Sequence, residues 1–387
     1  MSHPDIIVLA GYLVRCPLGG YAWQALHFLA GLRAIGFEAY FYEDTAYHGD
    51  CFDPLTGNMH VPPGAGIEFA AEFFQRFGFA DRWVFWDAEA DRYHGLSRGQ
   101  SEAVLEEARA VITLAPVNRL PRRAPRQAKI FIDIDPGVTQ IQAASGDPAL
   151  VELLSEHDLH FTIGENIGTP GCAIPSGPFS WRPTRQPIVL DLWQPLPADA
   201  RAAFTTVGRW NERRRDLTLE GQLYSWSKRT EWLKFLDLPN RTGERFLLAM
   251  DVDATPGDRE LLTQHGWEIT EPVAVSRDAL RYRDFINTSK GEFTVAKDLN
   301  VRLRSGWFSD RAACYLAAGR PVVTQDTGFG RSLPTGNGLY AVHSLEDGTA
   351  AVARIAADFD ANVRAARDIA QHHFDAAKVL AGLFSCL

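Results

Sequence analysis

The chain has 387 residues and a formal net charge of −9, with 46% hydrophobic and 22% charged residues. This length exceeds one ordinary hydrophobic core and predicts two domains, while the composition is that of a globular protein. The acidic balance argues against a nucleic-acid partner, because a phosphate backbone favours a basic surface. The cysteines are scattered without a metal-ligand spacing, at Cys16, Cys51, Cys172, Cys314 and Cys386. This pattern indicates a reducing compartment and no zinc site.

The start of the chain and its apolar segments predict where the protein resides. The opening text, MSHPDIIVLA, leads directly into a strand-like run and leaves no room for a signal peptide. No apolar segment approaches the roughly 20 residues that span a bilayer. We therefore expect a cytoplasmic protein without membrane insertion. A homodimer is compatible with the sequence.

The first half of the chain predicts a β-α-β unit followed by further buried strands. Residues 5–10 form a continuous apolar run, residues 21–35 carry apolar side chains at helical spacing, and residues 38–42 supply the next strand. Such a unit predicts a parallel sheet with helices on its faces. Further helices are predicted over 64–79 and 101–110, and further strands over 110–114, 129–134 and 159–163.

The second half repeats this pattern after a segment rich in Pro, Gly and Trp, residues 169–197, which predicts a linker and cleft edge. The further elements are predicted as strands over 204–210, 245–250 and 321–325 and as helices over 228–236, 258–265, 348–357 and 358–383. The sequence therefore predicts two Rossmann-like domains facing across a cleft. They comprise residues 1–190 and 195–365, and a C-terminal helix over 366–387 crosses back to the first domain.

Ligands bind outside the carboxyl ends of the strands in an open parallel sheet, and the loop after the first strand fits this rule. It lacks the GxGxxG text of a dinucleotide site. Gly19 and Gly20 precede the first helix, where the backbone can approach a donor closely. The alternative is a tight turn whose glycines relieve strain.

Basic residues at the start of the second half form the next candidate. Arg209 follows a predicted strand, and Lys228 lies near a predicted helix start. A lysine at a helix N-terminus opposes the helix dipole unless an anion shares the space, which makes Lys228 a candidate phosphate ligand. The alternative for Lys228 is a flexible surface lysine, and for the run GRWNERRR over 208–215 it is a solvated loop.

The stretch SGWFSDR, residues 305–311, combines a turn with a helix start. Ser309 is a good N-cap and Asp310 complements the positive helix end, which scaffolding alone would explain. The turn at Ser305 and Gly306 also offers backbone N–H groups to an anion, and Arg311 can close the site. The full set of donor-binding candidates here is Ser305, Gly306, Trp307, Phe308, Ser309, Asp310 and Arg311, with Asp326, Thr327 and Gly328 after the next strand.

Charged residues upstream, in SKGEFTVAK, predict a loop that contacts the donor. Lys297 suits a phosphate and Glu292 a sugar hydroxyl, with a solvated charged loop as the alternative. In the first half, FIDIDPG places Asp133 and Asp135 at a strand end, and Asp135 is the better candidate to face the cleft as a general base.

The remaining candidates in the first half would contact the acceptor. Glu165 and Asn166 follow another predicted strand. Aromatic rings at Trp23, Trp86 and Tyr93 suit a sugar or aglycone, although ordinary core packing is the alternative for each of them. His27 lies inside the first helix, where a structural role is favoured over catalysis.

The text Ala317-Ala318-Gly319-Arg320-Pro321-Val322-Val323, followed by Gly328, resembles the corresponding region of GT-B glycosyltransferases. SKGEF is similar to their Ser-x-x-Glu-Gly motif, which maps the sugar-contacting glutamate to Glu292. Their second glutamate would fall at Cys314, so the paired-glutamate pattern is broken. The interval between the two motifs is also longer than in the family.

The resemblance implies transfer of a sugar from a nucleotide diphosphate sugar, a UDP-sugar, to a small-molecule hydroxyl acceptor, with the nucleotide in the second domain. Glu292 is the catalytic candidate that the resemblance implies, beside Asp135, the candidate base that follows from its place at a strand end. Charge placement around Ser309, Lys228 and Lys297 predicts that no metal ion or other cofactor is required. A sugar-nucleotide epimerase and a non-catalytic nucleotide-sugar-binding protein remain alternatives, and the sequence leaves inverting and retaining chemistry both open.

Overall fold

The computed structural model describes residues 5–46, 49–119, 124, 127–197, 199–212 and 215–385. The strands are β1 Ile6–Ala10, β2 Glu38–Asp44, β3 Phe52–Asp53, β4 Asn58–Met59, β5 Trp83–Asp87, β6 Arg92–Gly95, β7 Ala110–Leu114, β8 Ala128–Asp133, β9 Leu159–Thr162, β10 Trp181–Pro183, β11 Phe204–Gly208, β12 Leu217–Leu219, β13 Gln222–Tyr224, β14 Phe246–Met250, β15 Trp267–Thr270, β16 Gly291–Thr294, β17 Val322–Gln325 and β18 Leu339–Val342. The helices are α1 Gly19–Ala34, α2 Gly64–Arg76, α3 Arg98–Glu107, α4 Val138–Ala144, α5 Pro148–Ser155, α6 Arg229–Leu233, α7 Leu238–Thr242, α8 Asp258–Gln264, α9 Pro272–Ser276, α10 Ala279–Asn287, α11 Asp298–Arg302, α12 Asp310–Ala317, α13 Leu345–Ala357, α14 Phe359–His373 and α15 Ala376–Phe384.

The N-terminal domain is built on an eight-stranded sheet with the order β10-β9-β8-β7-β1-β2-β5-β6. Every neighbouring pair is parallel except β5 and β6, which form an antiparallel edge. The central strands are apolar on both faces, as the sequence IIVLA of β1 illustrates, because helices cover both sides of a parallel sheet. The carboxyl ends of β1, β7, β8 and β9 therefore meet along one edge.

The C-terminal domain carries a second parallel sheet with the order β15-β14-β11-β16-β17-β18. Its central strand β16 covers Gly291–Thr294, which the sequence predicts as a charged loop, and that prediction is wrong. Gly291 is required there, because a Cβ on it would lie 2.4 Å from the Pro321 carbonyl oxygen. The prediction of two doubly wound sheets is confirmed.

The end of the chain returns to the N-terminal domain in two helices instead of the single one predicted over 358–383. The chain turns at Phe374 and Asp375, where a backbone pairing to Ile188 replaces helical hydrogen bonds. Helix α15 then packs on α1 so closely that a Cβ on Gly31 would lie 2.6 Å from Leu380. This contact ties the terminal helix to the first domain, as expected.

The two domains also share apolar contacts beside the cleft. Leu299 of α11 approaches Gly137 at the start of α4, where a Cβ would lie 2.6 Å from the leucine. Leu299 and Tyr224 belong to one buried cluster with Ile141 and Leu150 of the N-terminal domain. These contacts bring the carboxyl edges of the two sheets together. Within the described ranges, no helix has the length and apolarity needed to cross a membrane.

Candidate active site between the two domains

An ion pair joins the two domains where their strand ends meet. Asp135 follows β8 and Lys297 follows β16, and Lys297 Nζ lies 2.9 Å from Asp135 Oδ1 and 3.1 Å from Oδ2. The same ammonium lies 3.1 Å from the centre of the Trp226 ring. Asp133, by contrast, is buried and accepts hydrogen bonds from Thr139, Gln140 and Thr162. Asp135 is therefore the carboxylate that faces the cleft.

Lys228 lies in this cleft, and none of the described residues supplies it with an anionic partner. It immediately precedes α6, and its Nζ lies 5.4 Å from the centre of the Trp307 ring. Among the described residues, no carboxylate lies within ion-pair distance of this ammonium. Burial, followed by the nearby cations Arg311 and Lys297, lowers the pKa of Lys228 to about 7. A bound anion would remove this electrostatic penalty.

Glu292, the predicted sugar contact, forms a buried ion pair with Arg311. The Glu292 side chain is fully buried on β16, and its Oε1 accepts from Arg311 Nε at 2.5 Å and from Thr206 at 3.1 Å. Arg311 also donates to the Val207 carbonyl oxygen and to Thr294. The structure therefore holds the Glu292 carboxylate in a buried ion pair, and its catalytic role at the donor sugar stays a prediction. The guanidinium of Arg311 is held in place beside Lys228.

The start of α12 is capped by the chain's own side chains. Ser309 Oγ accepts from the backbone N–H of Ala312 at 3.4 Å, and Asp310 Oδ1 accepts from the N–H of Arg311 at 2.8 Å. Burial raises the pKa of the Asp310 carboxyl. The scaffolding explanation thus accounts for Ser309, and a donor phosphate at this helix start would have to share the space with Asp310.

The backbone N–H groups of the turn at Ser305 and Gly306 form hydrogen bonds within the protein. The sequence predicts that they are free to bind an anion, and the structure shows them occupied. Gly306 N–H donates to the Thr327 carbonyl oxygen at 2.8 Å, and Trp307 N–H donates to Ser305 Oγ at 3.1 Å. Asn166 of the N-terminal domain fits against Gly306, where a Cβ would lie 2.8 Å away, and its backbone N–H donates to the Ser305 carbonyl oxygen at 3.0 Å. The contacts of Asn166 and Thr327 with this turn stabilise one wall of the cleft.

Asp326, Gly328 and Phe308, which the sequence predicts as donor contacts, also bind other protein groups in this wall of the cleft, and their donor contacts stay predictions. Asp326 Oδ1 accepts from the Gly328 N–H at 2.8 Å. Gly328 has φ +89°, and a Cβ on it would meet Asn166 Nδ2 at 2.7 Å, so glycine is needed for both conformation and space. Phe308 is buried against Phe329 and other core rings. Only Trp307 of this stretch turns its ring towards Lys228.

Glu165 also serves the junction between the domains instead of the predicted acceptor contact. Both of its oxygens accept from Arg185, at 2.6 and 2.9 Å, and Arg185 donates further to the Ser332 carbonyl oxygen. A groove of about 550 Å³ beside Glu165 is lined by residues of the N-terminal domain. Lys228 and Lys297 are not among the residues that line it. Arg209 has a largely exposed side chain, 3.7 Å from Asp251, and remains available at the cleft mouth.

The residues predicted along the first helix are structural. A Cβ on Gly19 would lie 2.5 Å from Tyr282 Cβ, and Gly20 lies near the hydroxyl of the same tyrosine. The absence of side chains at the two glycines therefore allows α10 to pack against the start of α1. Trp23 is buried and donates from Nε1 to the Ala279 carbonyl oxygen at 2.7 Å. His27 lies in the same core, where burial lowers its pKa to about 3. The structure thus places Gly19, Gly20 and Trp23 against other parts of the protein, and their ligand contacts stay predictions.

Trp86 and Tyr93 stack at the antiparallel edge of the N-terminal sheet. Their ring centres are 6.0 Å apart across β5 and β6, and Arg98 lies over the Tyr93 ring. This edge is separated from β8 by β7, β1 and β2. The structure therefore does not bring these two rings together with Asp135 and Lys297.

Two tyrosines and one tryptophan of the cleft are not among the site residues predicted from the sequence. Tyr12 follows β1 and Tyr21 lies in the first turn of α1, with ring centres 4.9 Å apart. Burial raises the pKa of both phenols, with further contributions from each tyrosine's neighbours, among them Asp135 and Asp310. Trp226 donates to Glu212 while Lys297 covers its ring. Tyr12 could have been identified as a cleft residue from the sequence, because it follows the end of the first strand.

Within the part of the chain that the structure describes, no group of three or more His, Cys, Asp or Glu side chains is arranged to hold a metal ion. The cleft residues described above instead supply cations, aromatic rings and single carboxylates. Such a set suits a substrate that combines an anionic group with rings and hydroxyl groups.

Comparison with known proteins identifies the architecture. The sequence matches no protein-family profile and no curated protein sequence. Solved structures are similar over the full chain. An alpha-glucosyltransferase in complex with UDP-glucose and DNA containing an abasic site has a TM-score of 0.62 at 9% identity, covering 100% of this chain and 99% of that chain. HepE from Anabaena in complex with UDP and glucose has a TM-score of 0.55 at 11% identity, covering 100% of both chains.

A further similar structure is AviGT4, a glycosyltransferase involved in avilamycin A biosynthesis, with a TM-score of 0.52 at 12% identity over 99% of this chain and 96% of that chain. The complex with DNA corrects one expectation from the sequence. A protein of this architecture is solved on DNA, so excluding a nucleic-acid partner was wrong. The expected fold is confirmed: this chain has the GT-B fold of nucleotide-sugar-dependent glycosyltransferases.

Proposed function

We propose that the protein is a glycosyltransferase that moves a sugar from a nucleoside diphosphate sugar, a UDP-sugar, to a hydroxyl group of an acceptor. The observation that carries this proposal is the Lys228 ammonium, a cleft cation with a pKa lowered to about 7 and no anionic partner among the described residues. A diphosphate supplies the missing charge, and its binding would restore the ordinary basicity of the lysine. The GT-B fold supports this choice of anion.

In this proposal the charged groups divide between the donor and the acceptor. Lys228 and the exposed Arg209 bind the diphosphate and stabilise the charge that develops on the leaving nucleotide, a task that requires no metal ion. Trp307 packs beside the donor. Asp135 faces the acceptor, with Lys297 bound to it until substrate enters. Tyr12 and Tyr21 line the side of the cleft from which the acceptor approaches.

The donor arm of the test is a thermal-shift series with UDP, GDP, ADP and UDP-glucose. A nucleotide that binds the folded state stabilises it by about 2.7 kcal/mol at a hundred times its Kd, and we expect the largest shift with UDP and UDP-glucose. The Lys228→Met variant should keep the unliganded melting temperature and lose the shift. A wild-type protein that responds to none of these nucleotides contradicts the proposal.

The transfer arm uses radiolabelled UDP-glucose with p-nitrophenyl glucoside and, separately, with duplex DNA that contains hydroxymethyluracil. We expect labelled product with an acceptor and the same rate after EDTA treatment. Conversion of the donor in the absence of any acceptor would instead indicate an epimerase. Binding of UDP-glucose with neither transfer nor slow hydrolysis would indicate a non-catalytic binding protein.

A further inference from the structure

The loop that follows β1 forms a backbone anion site, and a side chain of the protein occupies it. Glu43 lies on β2 and is fully buried. Its Oε2 accepts from the backbone N–H groups of Leu13 at 2.6 Å and Val14 at 2.7 Å. Its Oε1 accepts from the backbone N–H of Arg15 at 2.9 Å and from Arg15 Nε at 3.0 Å. Successive N–H groups that converge on one point are the arrangement by which backbone loops bind phosphate.

A second buried side chain holds the same loop from the other side. Asn118 Oδ1 accepts from Arg15 at 3.3 Å and from the backbone N–H of Asp44 at 3.1 Å. Asn118 Nδ2 donates to the Gly11 carbonyl oxygen at 2.8 Å. The loop is thus bonded at its first residue and again at Arg15, although it contains no helix or strand of its own. A charged acceptor that receives several N–H bonds makes stronger bonds than a neutral one, so Glu43 dominates this network.

Tyr12 lies between these two attachment points. Its ring packs on Tyr21 at 4.9 Å between centres, and burial and the carboxylates of Asp135 and Asp310 raise the pKa of its phenol. Its neighbour in the chain is Leu13, whose N–H is bound by Glu43. The direction of the Tyr12 ring therefore depends on the conformation that Glu43 imposes.

We propose that Glu43 is a positioning residue that fills the anion site of residues 13–15 and thereby holds the Tyr12 ring against Tyr21. The carboxylate also closes this site to phosphate, so the donor diphosphate binds only on the side of Lys228. The functional meaning of this position rests on the proposed glycosyltransferase activity, in which Tyr12 lines the acceptor side. The Glu43 contacts themselves do not depend on it.

Two spectroscopic measurements on the full chain test this proposal. In the wild-type protein, hydrogen exchange should show the amides of residues 13–15 protected and unchanged by UDP or pyrophosphate. Exchange should become about ten-fold faster or more in Glu43→Gln, since the amide side chain cannot accept all of these bonds. In protein labelled with 3-fluorotyrosine, the Tyr12 fluorine signal, assigned with Tyr12→Phe, should move in Glu43→Gln and return towards its position in Glu43→Asp.

The control is Asn362→Ala, which removes a buried side chain that accepts from the Gly338 N–H far from the cleft and should leave the Tyr12 signal unmoved. Rapid exchange of residues 13–15 in the wild type, protection that appears only with pyrophosphate, or an unmoved Tyr12 signal in both Glu43 variants would overturn the proposal. UDP titration of the wild type judges the donor site separately. If UDP fails to bind while the exchange and fluorine results hold, the proposed function fails and the role of Glu43 stands.

Discussion

The ammonium of Lys228, which forms no ion pair with any residue that the structure describes, predicts that donor binding depends on pH. Its pKa is lowered to about 7 in the free protein, against about 10.4 for an ordinary lysine. Binding of a diphosphate favours the charged form, so the lysine must take up a proton when the ligand binds above neutral pH. The affinity for the diphosphate is therefore highest below about pH 7. Above this pH it falls by up to ten-fold, or about 1.4 kcal/mol, for each pH unit.

The assay is calorimetric titration with UDP-glucose at about pH 6 and about pH 9, where this relation predicts a Kd ratio on the order of 100-fold. UDP-glucose is preferred to UDP because its diphosphate is a diester and lacks the phosphomonoester ionisation at about 6. His27 and His157 do not interfere, since burial lowers their pKa values to about 3 and about 4.

The matched control is Lys228→Met, which should bind as weakly as the wild type does at high pH and show no pH dependence. Repeating the titration in buffers of different ionisation enthalpy should detect uptake of close to one proton by the wild type above pH 8, a value chosen to lie about one unit above the lysine pKa. The reasoning is refuted if the wild-type affinity is constant over this range, or if the methionine variant keeps the same pH profile.

Three substitutions test the assignment of other residues to structure. Arg311→Met should lower the free energy of unfolding by about 3–5 kcal/mol in urea titrations, because it leaves the Glu292 carboxylate buried without its cation; a loss below about 1 kcal/mol would mean that Glu292 is not charged or not buried. Gly306→Ala should cost about 1–3 kcal/mol through its positive φ and its contact with Asn166, and Asn166→Gly should restore part of that loss. Trp23→Ala should cost about 3–5 kcal/mol as a core truncation, and the folded variant should bind UDP-glucose as the wild type does, whereas a selective loss of binding would return Trp23 to the site.

Much of the fold follows from local sequence patterns. Continuous apolar runs mark β1, β7 and β8, because strands covered on both faces need no polar alternation. Strand β16 was not predicted because Lys290, which immediately precedes it, and Glu292, within it, resemble loop residues. Each charge is neutralised by a partner distant in sequence, Lys290 by Glu244 at 2.6 Å and Glu292 by Arg311. A single sequence does not reveal such pairings.

The site was predictable where position in the sheet determines it. Asp135 follows a strand that the sequence predicts, and the rule for open parallel sheets places it at the ligand-binding edge, whereas Lys297 follows β16, which the sequence does not predict. Glycines were misleading for a physical reason, since close backbone approach has the same sequence signature whether the neighbour is a ligand or protein. Gly19 admits Tyr282 and Gly328 admits Asn166. Only the packing of one domain on the other decides between these cases.

The most direct test of the central claim is a crystal structure of the protein with UDP bound. The account predicts the diphosphate in the cleft between the domains, with an oxygen within hydrogen-bond distance, about 3 Å, of Lys228 Nζ. The Glu43 carboxylate should remain on the N–H groups of residues 13–15. A diphosphate bound at the loop of residues 11–18, or one that leaves the Lys228 ammonium without contact, would contradict it.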